Sequence, residues 1–460
     1  MLTRTFGDRA FLRRIFAFAI PIVIQNGITT FVSLLDNIMV GQVGTLQMSG
    51  VSIANQIILI FNLCILGANA GAGIFSAQFC GSRDMEGVRH AFRYKLLVCS
   101  LLALGFIALV IPFGHNLIGL YLRGEGDAFA SKRILGYGYE YMLIMCWGFF
   151  PFALSNVYSS TMRESGRSVV PMVAGIAAVF VNLCLNAVLI FGLFGLPALG
   201  AKGAALATVI SRYMEFGILV VWNHSHKAQY PYIKGVYRSL HIPLSLVKKI
   251  TVKGMPLLVN ECLWSTAMAV LAQSYSTCGL DVVPALNITE TINNLVSVAI
   301  VALGHTVGIL MGQMMGAGSS REEILDCNRK IRNLSMACGL IFGVFLAAIS
   351  PVFPLVYQVE PSVRALATSL ILVLACHKPM MAFIYFAYFS MRSGGKTWIT
   401  FFFDCGVLWL ITIPVSILLT RLTGWPILAV YACCQAIDIF KCVIGHFLIK
   451  KGSWIQNLSK

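Results

Sequence analysis

Asp36 stands in FVSLLDNIMVG (31–41), a run otherwise fit for hydrocarbon. A charge at mid-bilayer costs about 2.5–3.5 kcal/mol on insertion scales, so something must compensate for it or use it. In VNLCLNAVLIF, Asn182 and Asn186 are four residues apart, which sets them on one helical face. Thr208 adds a hydroxyl in the next apolar run. One carboxylate among neutral oxygens suits Na⁺ or a single exchangeable proton better than Ca²⁺, which favours more ligands and more anionic charge. Asparagines in membrane helices also bond neighbouring helices with no further role, so the set carries weight only together.

The second half of the chain offers carboxylates of its own. Glu261 in MPLLVNECLWS, Glu290 in NITETINNL and Asp404 in FFFDCGVLW are candidates for substrate binding or a second cation site. Glu290 lies near the start of its span, where a solvated cap is an equal reading. Asp404 has no basic neighbour at helical spacing, whereas Arg212 with Glu215 and Asp438 with Lys441 are three apart and read as structural neutralisation. Lys378, in ACHKPMM, is available to counter Glu261 or Asp404, and His377 beside it is able to titrate. Phe149, Phe150, Tyr158 and Met381 are candidates for stacking flat aromatic compounds. Pro21 breaks a backbone bond inside the first span and is the expected hinge.

The elements that must position these residues are apolar helices. Of 460 residues, 58% are apolar types and 11% are charged, far from the roughly 25% charged of a soluble domain. Twelve runs reach the ~20 residues needed to cross a bilayer: roughly 15–40, 51–78, 94–113, 134–160, 168–192, 203–223, 255–278, 284–314, 334–356, 365–391, 398–420 and 426–449. The net charge of +16 is not a nucleic-acid patch, because the basic residues gather in alternate loops. Arg4, Arg9, Arg83, Arg89, Lys248, Lys249, Arg329, Lys330 and Lys460 fall on one side; Arg123, Lys132 and Arg133 are among the few on the other. The positive-inside rule then puts both termini in the cytoplasm of a multi-pass protein of the cytoplasmic membrane. The 14 cysteines lie mostly in apolar spans and read as small buried hydrophobes.

The chain also repeats itself. TMRESGRS (161–168) returns as SMRSGGKT (390–397), at an offset of 229. Gln78 in AQFCGSRD matches Gln313 in GQMMGAGS, and Pro21 matches Pro256, both at 235. Two copies of a six-span unit imply a pseudo-two-fold axis along the membrane normal and a cavity between the copies. The expected fold is all-α and integral to the membrane: twelve transmembrane helices in two pseudo-symmetric six-helix bundles. The expected lobes are 1–223 and 254–460, joined by a polar cytoplasmic connector at 224–253. The glycines of the two repeated motifs suit tight turns at the cytoplasmic ends of spans four and ten.

LLDNIMVGQVG in span one, GQMMGAG after span eight and VNLCLNAVLIFGLFGLPALGAKGAALAT through spans five and six resemble the multidrug and toxic compound extrusion (MATE) family. The resemblance runs over essentially the whole chain. It implies a secondary antiporter, working as a monomer, that exports small organic, mostly cationic, compounds against inward flow of Na⁺ or H⁺, with no other cofactor. In that family the first-span aspartate and a polar pair on span five carry ion coupling, roles that map onto Asp36, Asn182 and Asn186. Some members have an aspartate where this chain has Asn186, which leaves Na⁺ versus H⁺ open. An acidic residue at the place of Glu261 is implicated there in handling cation or substrate.

A flippase-type exporter of a lipid-linked or polysaccharide substrate, from the same superfamily, is the alternative; it calls for cationic residues along the cavity, and intramembrane Lys and Arg are scarce. An enzyme needs a converging nucleophile, base or metal set, and no GxSxG, HExxH or paired-aspartate motif stands in the sequence.

Overall fold

The computed structural model describes residues 5–122, 128–195 and 197–459, excepting the side chains of Leu34, Asn37, Ala128 and Phe194. Arg4, Arg123 and Lys460, counted above among the loop charges, lie outside the described residues, as does Leu196. Among the described residues there is no strand. Twelve helices among the described residues are long and apolar enough to span a membrane. In chain order they are α1 Arg9–Gly41, α2 Thr45–Ser82, α3 Met85–Tyr121, α4 Ala128–Glu164, α5 Val169–Phe191 and α6 Ala201–Ser225. Then come α7 Leu244–Ser276, α8 Val282–Gly316, α9 Arg321–Ile349, α10 Pro361–Ser393, α11 Thr397–Leu422 and α12 Ile427–Lys451. The chain is a multi-pass membrane protein.

Each expected span overlaps one of these helices, but the helices reach further into charged sequence. The ninth span was expected at 334–356, yet α9 takes in REEILDCNRKIRN and stops ahead of Pro351. Its start is fixed by a capping box: Ser320 Oγ accepts from Glu323 N (3.2 Å) and Glu323 Oε2 from Ser320 N (3.1 Å). The equivalent start of α3 is capped by Asp84, whose Oδ1 accepts from Glu86 N and Gly87 N. The repeated motifs do turn on glycine: Gly166 (φ 87°) and Gly395 (φ 73°) occupy matching left-handed positions. Two late helices are irregular. Within α11 the turns at Phe402–Gly406 and Leu408–Thr412 are π-helical, and α12 is interrupted at Ile437.

The chain forms two compact units, residues 1–23, 77–83 and 252–460 in one and 24–76 with 84–251 in the other. In the first, Ile15 and Ala19 of α1 pack with Val307, Leu310, Ile331 and Phe386. Gln78, fully buried, donates to the carbonyls of Ser393 and Gln456 (3.0 Å each) and accepts from Leu458 N (2.6 Å). In the second, Phe61, Phe106 and Phe149 form an aromatic core with centroids 4.8–5.2 Å apart. The segment after α6 is strapped to α3, where Arg93 donates to the carbonyls of Gly235, Val236 and His241.

Candidate ion and substrate site

Local geometry at the α5–α6 turn brings the expected amide pair to the threonine. Gly200 (φ 57°) precedes α6, and Gln47 Oε1 caps it by accepting from Ala201 N (2.9 Å). A Cβ on Gly203 would stand 2.5 Å from the Leu189 carbonyl oxygen, so only glycine permits this approach of α6 to α5. Thr208 then sits one face further along α6, against Asn182.

Asp36 of α1 is joined to α5 by a short bond: Asn186 Nδ2 donates to Asp36 Oδ1 at 2.6 Å. With its amide nitrogen toward the carboxylate, Asn182 donates to both Asp36 oxygens at 3.1 Å, and its oxygen lies 3.3 Å from Thr208 Oγ1. The reverse orientation would aim an amide oxygen at a carboxylate. Asn182 and Asn186 are 6% and 1% exposed, so these bonds form largely away from water. Asn186 Oδ1 is buried and meets no hydrogen-bond donor among the described residues. An unfilled oxygen beside a carboxylate is the kind of donor a small cation coordinates. Arg212 is the cation whose field reaches Asp36, but its guanidinium is committed to Glu215 (3.1 Å) and stacks over Phe152 at 4.9 Å. All four residues expected to act together, Asp36, Asn182, Asn186 and Thr208, are brought together.

The C-terminal candidates are not gathered into one site. Glu290 lies two turns into α8, so it is no helix cap; it accepts from Asn293 Nδ2 (2.9 Å), and Asn293 Oδ1 accepts from Lys378 Nζ (2.5 Å). Lys378, fully buried, also donates to Ser297 Oγ (2.7 Å). It therefore answers to Glu290 through an asparagine rather than to Glu261 or Asp404. Asp404 is not partnerless: Lys441 Nζ stands 3.7 Å from Oδ1 and Asn260 donates to Oδ2 at 3.0 Å. Spacing along α11 alone had no means to reveal those partners, which come from α7 and α12. Glu261 stands apart from these bonds, in the fields of Arg392 and Asp404. Two of the stacking candidates are structural: Phe149 belongs to the aromatic core, and the Tyr158 hydroxyl bonds to Tyr237 and His224. Met381 turns its sulfur to Lys378 Nζ, 3.7 Å away.

Sequence reading missed one buried group outright. Lys95 Nζ, on α3, meets Glu164 Oε2 at 2.6 Å and Oε1 at 2.8 Å, with Ser160 and Thr161 completing its shell. Beside it Arg163 donates to Gln25 Oε1 (2.7 Å).

Long apolar helices with ionisable groups bonded between them define a polytopic membrane protein. The model of the MatE family matches residues 21–188. A probable multidrug resistance protein NorM from Thermotoga maritima is 23% identical over 95% of this chain and 91% of its own. Among solved structures, a MOP superfamily transporter from Pyrococcus furiosus covers 98% of each chain with a TM-score of 0.85 at 17% identity. A MATE protein in complex with MaD3S superposes equally well, with TM-score 0.85, 18% identity and 98% of each chain covered. The chain is therefore similar, over nearly its whole length, to multidrug resistance proteins and to solved MATE transporters, and it shares their fold.

Proposed function

We propose that the chain is a secondary antiporter that exports small organic, mostly cationic, compounds in exchange for H⁺ or Na⁺ taken up at Asp36. One observation carries the reading: Asp36 is bonded to the two amides of α5 and to no basic group among the described residues. A carboxylate neutralised by a fixed guanidinium has no need of a mobile cation; one held by amides does. Protonation, or Na⁺ shared between Asp36 and the free Asn186 oxygen, removes the desolvation cost of the bare charge. The state that exposes the site to the high-cation side is thereby favoured over the state that holds drug, and cation and compound need only prefer different states.

Pro21 serves as the hinge of this change. The division of α1 between the two compact units falls at residues 23 and 24, beside the proline whose missing N–H leaves the Ala17 carbonyl without its helical donor. The termini lie in the cytoplasm, and acidic groups such as Glu261 draw organic cations inward. Against a lipid-pyrophosphate cargo stands the engagement of the membrane lysines Lys378 and Lys441 with groups of the protein itself. The test is efflux of a fluorescent organic cation from proteoliposomes with Na⁺ and pH gradients imposed separately; transport that ignores both gradients contradicts antiport.

A further inference from the structure

We propose that the segment joining α6 to α7, residues 234–249, is a docking platform for anionic phospholipid headgroups at the membrane surface. Between Glu215 and Glu261 the chain holds no acidic residue, and the segment carries Lys234, Arg238, Lys248 and Lys249. All four are exposed, and their side chains have no ion-pair or hydrogen-bond partner among the described residues. The basic residues beneath them are engaged. Arg89 donates to the Tyr232 carbonyl at 3.2 Å, and Arg93 to the carbonyls of Gly235, Val236 and His241. One set of cations fixes the strap to α3, and the other faces outward. The acids at the start of α3 are also engaged: Asp84 caps the helix, and the Glu86 carboxylate lies 3.8 Å from His90.

The anchors set the depth of the platform. Arg89 and Arg93 stand just ahead of the apolar run LLVCSLLALGFIALVIPFG (96–114) of α3, so the strap lies at the edge of the hydrocarbon. Tyr94 Oη and Thr251 Oγ1, 2.9 Å apart, hold the first turns of α7 at the same level. The strap is also two-faced. Tyr232, Ile233 and Val236 are 1–2% exposed, whereas Leu240 and Leu244 are 55% and 81% exposed. Trp222, at the end of α6 and 40% exposed, is an aromatic of the kind that settles at the headgroup level.

These features together select the occupant. An acidic protein would neutralise the cations and leave the leucines without an acyl margin to enter. A lipid of no net charge would cover the leucines and leave the cations unanswered. An anionic phospholipid meets both, with its acyl margin on Leu240 and Leu244 and its phosphate among the four basic groups. Six crossings separate this segment from the N-terminus, so its leaflet rests on the cytoplasmic placement of the termini proposed above; the headgroup chemistry does not.

The experiment is native mass spectrometry of the full chain in detergent, titrated with phosphatidylglycerol or with phosphatidylcholine of the same acyl chains. The parent should retain phosphatidylglycerol at about tenfold lower concentration than phosphatidylcholine. Each cation beside an anionic surface adds about fivefold, so Lys234→Gln, Arg238→Gln, Lys248→Gln and Lys249→Gln combined should abolish that preference. Leu240→Ser with Leu244→Ser should weaken retention of both lipids severalfold. Arg13→Gln with Arg14→Gln, exposed cations of α1, should leave the preference within about twofold. Melting in detergent checks that each variant folds. Should the fourfold variant not fold, Lys234→Gln with Arg238→Gln and Lys248→Gln with Lys249→Gln each read part of the same loss. Equal retention of the two lipids by the parent, a preference that survives the fourfold variant, or an equal loss in the α1 variant overturns the proposal. So does displacement of the lipid by soluble glycerol phosphate at like concentration, which would mark an anion pocket instead. None of these readings involves transport, so they stand apart from the antiport reading.

Discussion

Asn186 Nδ2 and Asp36 Oδ1, 150 residues apart in sequence, are 2.6 Å apart in space. That bond ties α1 to α5 and sets the direction in which the carboxylate faces. Its neighbour Asn182 makes longer contacts, 3.1 Å to each carboxylate oxygen. Removing a buried hydrogen bond to a charged group costs about 1.5–3 kcal/mol, close to tenfold or more in an equilibrium constant. With Na⁺ as the coupling ion, Asn186→Ala also removes the free amide oxygen beside the carboxylate and should raise the Na⁺ concentration for half-maximal transport by about tenfold. Asn182→Ala should raise it less. Flux measured against Na⁺ concentration checks the order, and equal or reversed effects contradict it.

The buried pair Lys95–Glu164 makes a prediction about stability rather than transport. Glu164→Gln strands an ammonium whose side chain is 0% exposed, and should destabilise the protein by about 3–5 kcal/mol. Replacing both partners by Met removes the uncompensated charge and should recover most of that loss. Gly73→Ala should mimic the damage, because its Cβ would fall 2.6 Å from Glu164 Oε1. Unfolding of the three variants in detergent, followed by circular dichroism, gives the ranking.

If Pro21 is the hinge, Pro21→Ala restores the N–H that the Ala17 carbonyl lacks and stiffens α1. Turnover should fall severalfold while the half-saturating cation concentration stays within about twofold. A variant that loses cation affinity and keeps its turnover would assign Pro21 to the site instead of the motion. Single-turnover release of a preloaded fluorescent cation separates the two.

The parts of the molecule legible in its sequence are those set by short-range physics. Twelve helices follow from runs of apolar residues, and the facing of Asn182 and Asn186 follows from a four-residue spacing. Left-handed Gly166 and Gly395 follow from a repeated motif. The helix over Arg321–Arg332 was also written in the chain, as Ser320 and Glu323 three apart, but its charges drew attention to the loop reading. Long-range pairing was not legible. Asp404 appeared unpartnered because Lys441 comes from the next helix and Asn260 from α7, 144 residues away. Lys95 and Glu164 are 69 residues apart, and no pattern along either helix announces that they meet. Asp36 is free of this limit because a lone intramembrane carboxylate calls for neutral polar groups, and Asn182 and Asn186 share one face of a single helix.

The central claim is that Asp36 couples cation entry to export, and Asp36→Asn in proteoliposomes tests it most directly. Asparagine keeps the shape and one acceptor oxygen for the α5 amides while abolishing the exchangeable charge. Uphill export of a fluorescent organic cation, driven in turn by an imposed Na⁺ gradient and an imposed pH gradient, is compared with the parent protein at equal folded amount. The account predicts that one of the two gradients drives the parent, and that the variant loses about tenfold or more of that driven flux. Uphill export by the variant at the parent's rate would remove Asp36 from the coupling role.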